Sequence, residues 1–310
     1  MKVKYIAYDS LGVKSMCTQL KTKDTTLTID PGVAIQTGSF PLPESRREKL
    51  VDRYHNKIRK SCQRSEFILI SHYHYDHYLL DIDFYRDKKL IVKDPVKDIN
   101  ESQRRRGAEL MKYIAGEIDG IGYGDDHIYI IGGETIIQLS EAMWHGKKNT
   151  KLGYVLMLEV TDNDKRFLYT SDLSGVCMRE QAEAIIERRP DILVMDGFPS
   201  YLLGYVTSHE DLKSALENMI LILEKTNCEK YILDHHLLRD YRFREIYYEA
   251  YKRAEELGKN VQTVAEELGK KPMVLEGYEK NGPTKWKRWD NYTFDKLDEI
   301  ITKAKKKRNS

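Results

Sequence analysis

One stretch constrains this chain more than any other: Phe67-Ile68-Leu69-Ile70, an apolar tetrapeptide, runs through Ser71 into His72-Tyr73-His74-Tyr75-Asp76-His77. The apolar run reads as a buried strand that ends where the histidines begin. Side chains alternate along an extended backbone, so His72 and His74 point the same way and can grip one metal ion. Asp76 and His77 follow as the chain turns and can grip a second. Three histidines and an aspartate in this spacing form a specific motif, well beyond a solvated histidine-rich turn.

A paired metal site needs further ligands, and three other segments offer them. His145 follows Met143-Trp144 and precedes Gly146. Asp172 ends a strand-like run in Thr170-Ser171-Asp172-Leu173-Ser174-Gly175, and His235 ends Tyr231-Ile232-Leu233 with His236 beside it. Any one of them alone would most often be structural. Together with the histidine string, at strand ends where loops converge on one sheet edge, they make a set.

The surrounding pattern is mixed α/β. The first thirty residues alternate β-prone pieces with turns and end at Asp30-Pro31-Gly32, with Asp30 at a strand tip. Residues 46–60 are helix-prone, and 100–114 read as a surface helix capped by Asn100. Strands are expected at 127–131, 135–139, 152–160, 166–170, 191–195 and 231–233. Helices are expected at 180–189, after the Ser208 cap, and from Phe243 onward. Two packed sheets with helices outside fit that order, as do other α/β layouts. The 303–308 charge run reads as a frayed helix end.

Composition removes several classes. The chain carries 51 basic and 49 acidic residues, which argues against an obligate polyanion binder. With 41% hydrophobic and 32% charged residues it can bury a substantial core. No apolar run approaches the ~20 residues needed to cross a bilayer, so no membrane role is expected. The N-terminus enters strand-like sequence without a signal peptide, and a cytoplasmic location is the expectation. Cys17, Cys62, Cys177 and Cys228 are dispersed, which suits core thiols rather than a disulfide framework or zinc ribbon.

On these motifs the chain resembles the metallo-β-lactamase superfamily: the HYHYDH string, Asp30 after an early strand, His145 in His-Gly, Asp172 in Ser-Asp-Leu-Ser-Gly, and His235 after an apolar strand. The likeness spans roughly residues 5 to 240. Phrases such as Asp30-Pro31-Gly32-Val33, Asp196-Gly197-Phe198-Pro199-Ser200 and Asp234-His235-His236-Leu237 resemble an archaeal family of metallo-hydrolases within it. The resemblance implies a four-layer αββα sandwich with extra C-terminal helices. Residues 1–310 would form a single domain, with a helical insertion near 96–120 and C-terminal helices at 242–308. It implies two divalent ions, the first on His72, His74 and His145, the second on Asp76, His77 and His235, with Asp172 bridging. Asp30 would support the site by hydrogen bonding. His235 is preferred over His236 as ligand, and His236 is kept for proton transfer. Asp76, Asp172 and His236 are the expected catalytic residues.

Two such ions, about 3.5–4 Å apart, share a water and lower its pKa, and the resulting bridging hydroxide attacks a carbonyl or phosphorus. Nitrogen and carboxylate ligands favour zinc and also admit iron or manganese. Lys147, Lys148 and Lys151 after His145, and Arg239, Arg242 and Arg244 after His235, favour an anionic substrate if they line the cleft. His209, beside Ser208, reads as a capping-turn histidine. Only 63 positions separate Asp172 from His235, too few for the nested domain of the superfamily's RNA-processing nucleases. The leading expectation is a dinuclear hydrolase of phosphoesters, phosphodiesters or other anionic substrates, small or nucleic acid. The alternatives are a lactone or thioester hydrolase and a non-catalytic, metal-stabilised binding protein. The oligomeric state is open, a homo-oligomer included.

Overall fold

The apolar runs assemble into two large sheets and a short hairpin in the computed structural model, which describes residues 1–282 and 290–308. The first sheet takes β1 (Lys2–Tyr8), β2 (Met16–Lys21), β3 (Thr26–Ile29), β4 (Phe67–Ile70), β5 (Lys89–Val92) and β6 (Gly120–Tyr123), in that order. The strands β1 to β3 form an antiparallel meander, and β3 to β6 run parallel. Parallel neighbours need a crossover. Helix α1 (Glu44–Gln63) carries β3 to β4, and α2 (Glu101–Ile114) carries β5 to β6. The helix expected near 96–120 is α2, with Asn100 accepting from the Gln103 amide as its cap.

Strands β7 (Ile128–Ile131) and β8 (Thr135–Leu139) lead through a hairpin, β9 (Met143–Trp144) and β10 (Tyr154–Val155), into β11 (Leu158–Asp162). β12 (Lys165–Tyr169), β13 (Ile192–Asp196), β14 (Lys230–Asp234) and β15 (Val261–Gln262) complete the second sheet, ordered β15-β14-β13-β12-β11-β8-β7. From β12 onward neighbours are parallel. Helices α3 (Arg179–Glu187) and α4 (His209–Lys225) supply the crossovers, followed by α5 (Phe243–Ile246), α6 (Tyr248–Glu256), α7 (Val264–Glu267), α8 (Met273–Asn281) and α9 (Phe294–Arg308). Ser208 starts α4 with a reciprocal capping box to Asp211. Helix α9 runs through the charge run expected to be a frayed end. No helix among the described residues is long and apolar enough to cross a membrane.

The layers are helix, sheet, sheet, helix, as expected. Strands β4 and β13 are buried at every residue, which explains their unbroken apolar runs: each is covered on both faces. Two expectations were adjusted. The predicted strand at 152–160 is broken between β10 and β11, because the Leu156 amide leaves its own sheet to donate to Ser71 O at 3.1 Å. Strands β5, β6, β9 and β15 lie outside the expected strands, and β9 and β15, of two residues each, are too short to carry a period.

The sheets meet at both ends. At one, the Met1 ammonium lies 2.8 Å from Asp162 Oδ2, and the Thr135 amide donates to Asp24 Oδ2 at 2.8 Å. At the other, Tyr169 OH from β12 donates to Asp30 Oδ2 beyond β3 at 2.7 Å. This second rim gathers the carboxyl ends of β3, β4, β12, β13 and β14, where α/β sheets commonly place their ligands.

Candidate metal centre

The segments leaving that rim carry the predicted residues inward, onto the two oxygens of Asp172. His72 Nε2 lies 3.5 Å and His145 Nε2 3.2 Å from Asp172 Oδ2. On the other oxygen, His77 Nε2 lies 3.1 Å and His235 Nε2 3.4 Å from Oδ1. His74 presents Nδ1, 3.1 Å from His72 Nε2, and Asp76 Oδ2 stands 3.8 Å from His235 Nε2. One ligand-type atom each from His72, His74, His145 and Asp172 lies within 4.8 Å of the others, and the same holds for Asp76, His77 and His235. His236 also falls within such a group, with Asp172 and His235.

A turn after each strand aims these side chains, and the backbone is strained to make it. Asp30, Ser171, Ser174, Val176 and His235 all have positive φ, between 47° and 63°. Non-glycine residues in this region cost on the order of 1–3 kcal/mol each and persist where the surroundings over-determine them. For the β-branched Val176 the conformation is a true outlier.

Most of the imidazoles are locked from behind. Asp30 accepts from the Ser71 amide at 2.7 Å, from Ser71 Oγ at 2.6 Å and from Tyr169, and its Oδ2 lies 2.8 Å from His77 Nδ1. Ser71 Oγ is 3.0 Å from His72 Nδ1, and Ser174 Oγ 3.2 Å from His145 Nδ1. Asp9 Oδ2 lies 2.7 Å from His235 Nδ1, and Asp196 holds His236 Nδ1 at 3.0 Å. A partner on Nδ1 fixes ring orientation and tautomer and leaves Nε2 directed at Asp172. Asp30 thus supports His77, as expected. Asp9, Asp196 and Ser174 are ordinary polar residues whose imidazole partners are distant in sequence, and Ser71, although beside His72, carries no spacing signal of its own.

The donor set suits a cation. His77 Nε2 and Asp172 Oδ1 are buried, 3.1 Å apart, and neither has a hydrogen bond. Buried polar atoms without partners are rare and costly unless a ligand satisfies them. Burial, then the neighbouring His77, brings the His72 pKa down to about 4, so the ring is neutral and its lone pair free. Burial would lower His77 as well, but the Asp172 and Asp30 carboxylates outweigh it and lift it to about 10. Burial would raise Asp172, yet His77, His235 and His72 hold it well below the usual carboxylate range. Asp196 is pushed up to about 7 by burial and then by Asp172, while burial and then Arg239 hold His236 well below the usual imidazole range.

A cavity of ≈330 Å³ opens above this cluster. His74, Asp76, His145, Asp172 and His236 line its floor side, while Leu152, Phe198, Pro199, Leu202 and Val206 contribute an apolar wall. The basic residues expected there are largely engaged elsewhere. Lys147 lines the cavity 3.0 Å from Asp211 Oδ2, and Arg239 does so while bound to Asp9 and Asp76. Arg242 pairs with Asp240 and Arg244 with Glu266. Lys148, Lys151 and His209 are not among the lining residues.

Fold and site together define a beta-lactamase superfamily domain, and the model of that domain matches residues 25–236. A UPF0282 protein of Methanopyrus kandleri is 35% identical over 297 residues, covering 90% of this chain and 97% of that protein. Another, from Methanocaldococcus jannaschii, is 36% identical over 293 residues, covering 90% and 96%. Among solved structures, Tm1679, a metal-dependent hydrolase of the beta-lactamase superfamily, aligns with a TM-score of 0.45 at 13% identity, covering 84% of this chain and 94% of that one. The chain belongs to the UPF0282 family of the beta-lactamase superfamily.

Proposed function

We propose that this chain is a dinuclear metal-dependent hydrolase, with zinc as the expected metal. The observation that carries the reading is the single carboxylate of Asp172, whose Oδ2 faces His72 and His145 while Oδ1 faces His77 and His235. His72, His74 and His145 would hold one ion and Asp76, His77 and His235 the other, with Asp172 between. When bound, such a pair polarises the scissile group and makes water nucleophilic near neutral pH.

The protein's own residues do the rest. Asp30, Asp9 and the serine hydroxyls keep the imidazoles aimed without reorganisation during turnover. His236, on the cavity wall and tied through Nδ1 to Asp196, is held well below the usual imidazole range by burial and then by Arg239, and as a neutral ring it can accept a proton during turnover. Lys147 at the cavity supports an anionic phosphoester or phosphodiester. The apolar wall of Leu152, Phe198, Leu202 and Val206 favours the second reading, a lactone or thioester with an acyl chain.

The test loads purified protein with zinc, manganese or iron. It then compares turnover of bis(p-nitrophenyl) phosphate with turnover of acyl-homoserine lactones and acyl thioesters. Phosphodiester turnover that Asp172→Ala abolishes, with most of the melting temperature retained, is the expected result. A variant that loses stability, from a parent that turns over neither class, points to a structural clip.

A further inference from the structure

We propose that Arg239 acts as a resident cation at the Asp76, His77 and His235 position, so that the protein binds one divalent ion tightly and a second far more weakly. This rests on the metal-centre reading above and deepens it. The guanidinium is committed on every side. Nε donates to Asp9 Oδ1 at 2.7 Å, Nη1 to the Tyr201 hydroxyl at 3.2 Å, and Nη2 to Asp76 Oδ2 at 3.3 Å. The same Nη2 lies 3.4 Å from His235 Nε2, and those two neighbours are themselves 3.8 Å apart. Nη2 therefore sits against the lone pairs that a cation at this position would use.

Three properties make the competition persistent. Arginine does not lose its proton in a protein, so the positive charge stays when a metal arrives. The side chain is 7% exposed, where water screens like-charge repulsion poorly. Its anchor Asp9 also holds His235 Nδ1 at 2.7 Å, so moving the arginine disturbs one of the site's own imidazoles. The other group is different. Among the described residues, the ion-pair partners of Asp172 are histidines, with no lysine or arginine nitrogen against it. His72, His74 and His145 are likewise left for a metal to share with Asp172 Oδ2.

The experiment is a metal titration without turnover. Metal-stripped full-length protein is titrated with Zn(II) against a chromophoric chelator, and with Co(II) followed by its absorption bands. Wild type is expected to take one equivalent tightly and the second at least about 100-fold more weakly, the scale of a neighbouring like charge in a poorly screened site. Arg239→Met keeps an apolar stem and removes the charge. It is expected to bring the two affinities within about 10-fold. Asp76→Asn is the companion variant should Arg239→Met fail to fold, and it is expected to lose only the weak ion. Two equally tight ions in wild type, an unchanged gap in folded Arg239→Met, or loss of the tight ion in Asp76→Asn would each overturn the proposal. No ion bound by wild type would sink the metal-centre reading as well.

Discussion

At Asp172 one carboxylate meets four imidazole nitrogens, and the charge balance there sets how the metal-free protein responds to pH. An unfolded histidine titrates near pH ~6.5. Folded His72 titrates at about 4, so its contribution to stability is full above that unfolded value and lost as pH falls through 4. The loss is on the order of 3 kcal/mol. His77 runs the other way: titrating at about 10 when folded, it contributes fully below the unfolded value and the contribution is lost as pH rises through 10. Chelator-treated protein unfolded in urea across a pH series is therefore expected to be most stable near pH ~6.5, with a decline on either side. A monotonic profile would contradict these two assignments. Asp30 offers a second test, because it accepts from Ser71 and Tyr169 while holding His77. Asp30→Asn is expected to weaken metal binding about 10- to 100-fold, read by chelator competition. Unchanged affinity would deny Asp30 its supporting role.

At the scale of elements, the centre depends on two loops approaching closely. A Cβ on Gly32, in the turn after β3, would stand 2.3 Å from the His77 amide nitrogen and 2.4 Å from the Asp76 carbonyl carbon. Those are backbone atoms and cannot swing aside as a side chain would. Gly32→Ala is expected to push the loop carrying His72 to His77 away from Asp30, with loss of metal binding and several degrees of melting temperature, followed by calorimetry with and without zinc. Helix α4 makes a milder contrast. Ser208→Ala removes the capping hydroxyl that accepts from the Asp211 amide at 3.0 Å. It is expected to cost about 1 kcal/mol of stability with metal affinity unchanged. Affinity falling together with stability would tie this cap to the site.

At the scale of the whole molecule, the C-terminal helices are part of the site's foundation. The Val264 amide at the start of α7 donates to Asp234 Oδ2 at 2.9 Å, and the Ala265 amide to Ser10 Oγ at 3.0 Å. Asp234 in turn accepts from the Ser10 and His235 amides, so one buried carboxylate ties α7, the loop after β1 and the His235 backbone together. Ending the chain at residue 241 is expected to lower both melting temperature and metal occupancy, the latter by elemental analysis. A truncated protein with full occupancy would make these helices an appendage. How much of this was legible from residues alone follows from how far each interaction reaches. His72 to His77 lie within one turn of a loop and declare themselves by local spacing, and the unbroken apolar strands announce two-sided burial through their own composition. The ligand types His145, Asp172 and His235 were visible at strand ends because a strand shows where it stops. Asp9 was not, since its partners His235 and Arg239 lie more than 220 residues away and nothing beside it in the chain marks it. Arg239 itself read as a substrate contact, and only packing of distant loops turned it toward Asp9 and Asp76. Local chemistry is written in neighbouring residues, whereas the partner of a buried charge is chosen by whichever distant segment the fold brings within hydrogen-bond reach.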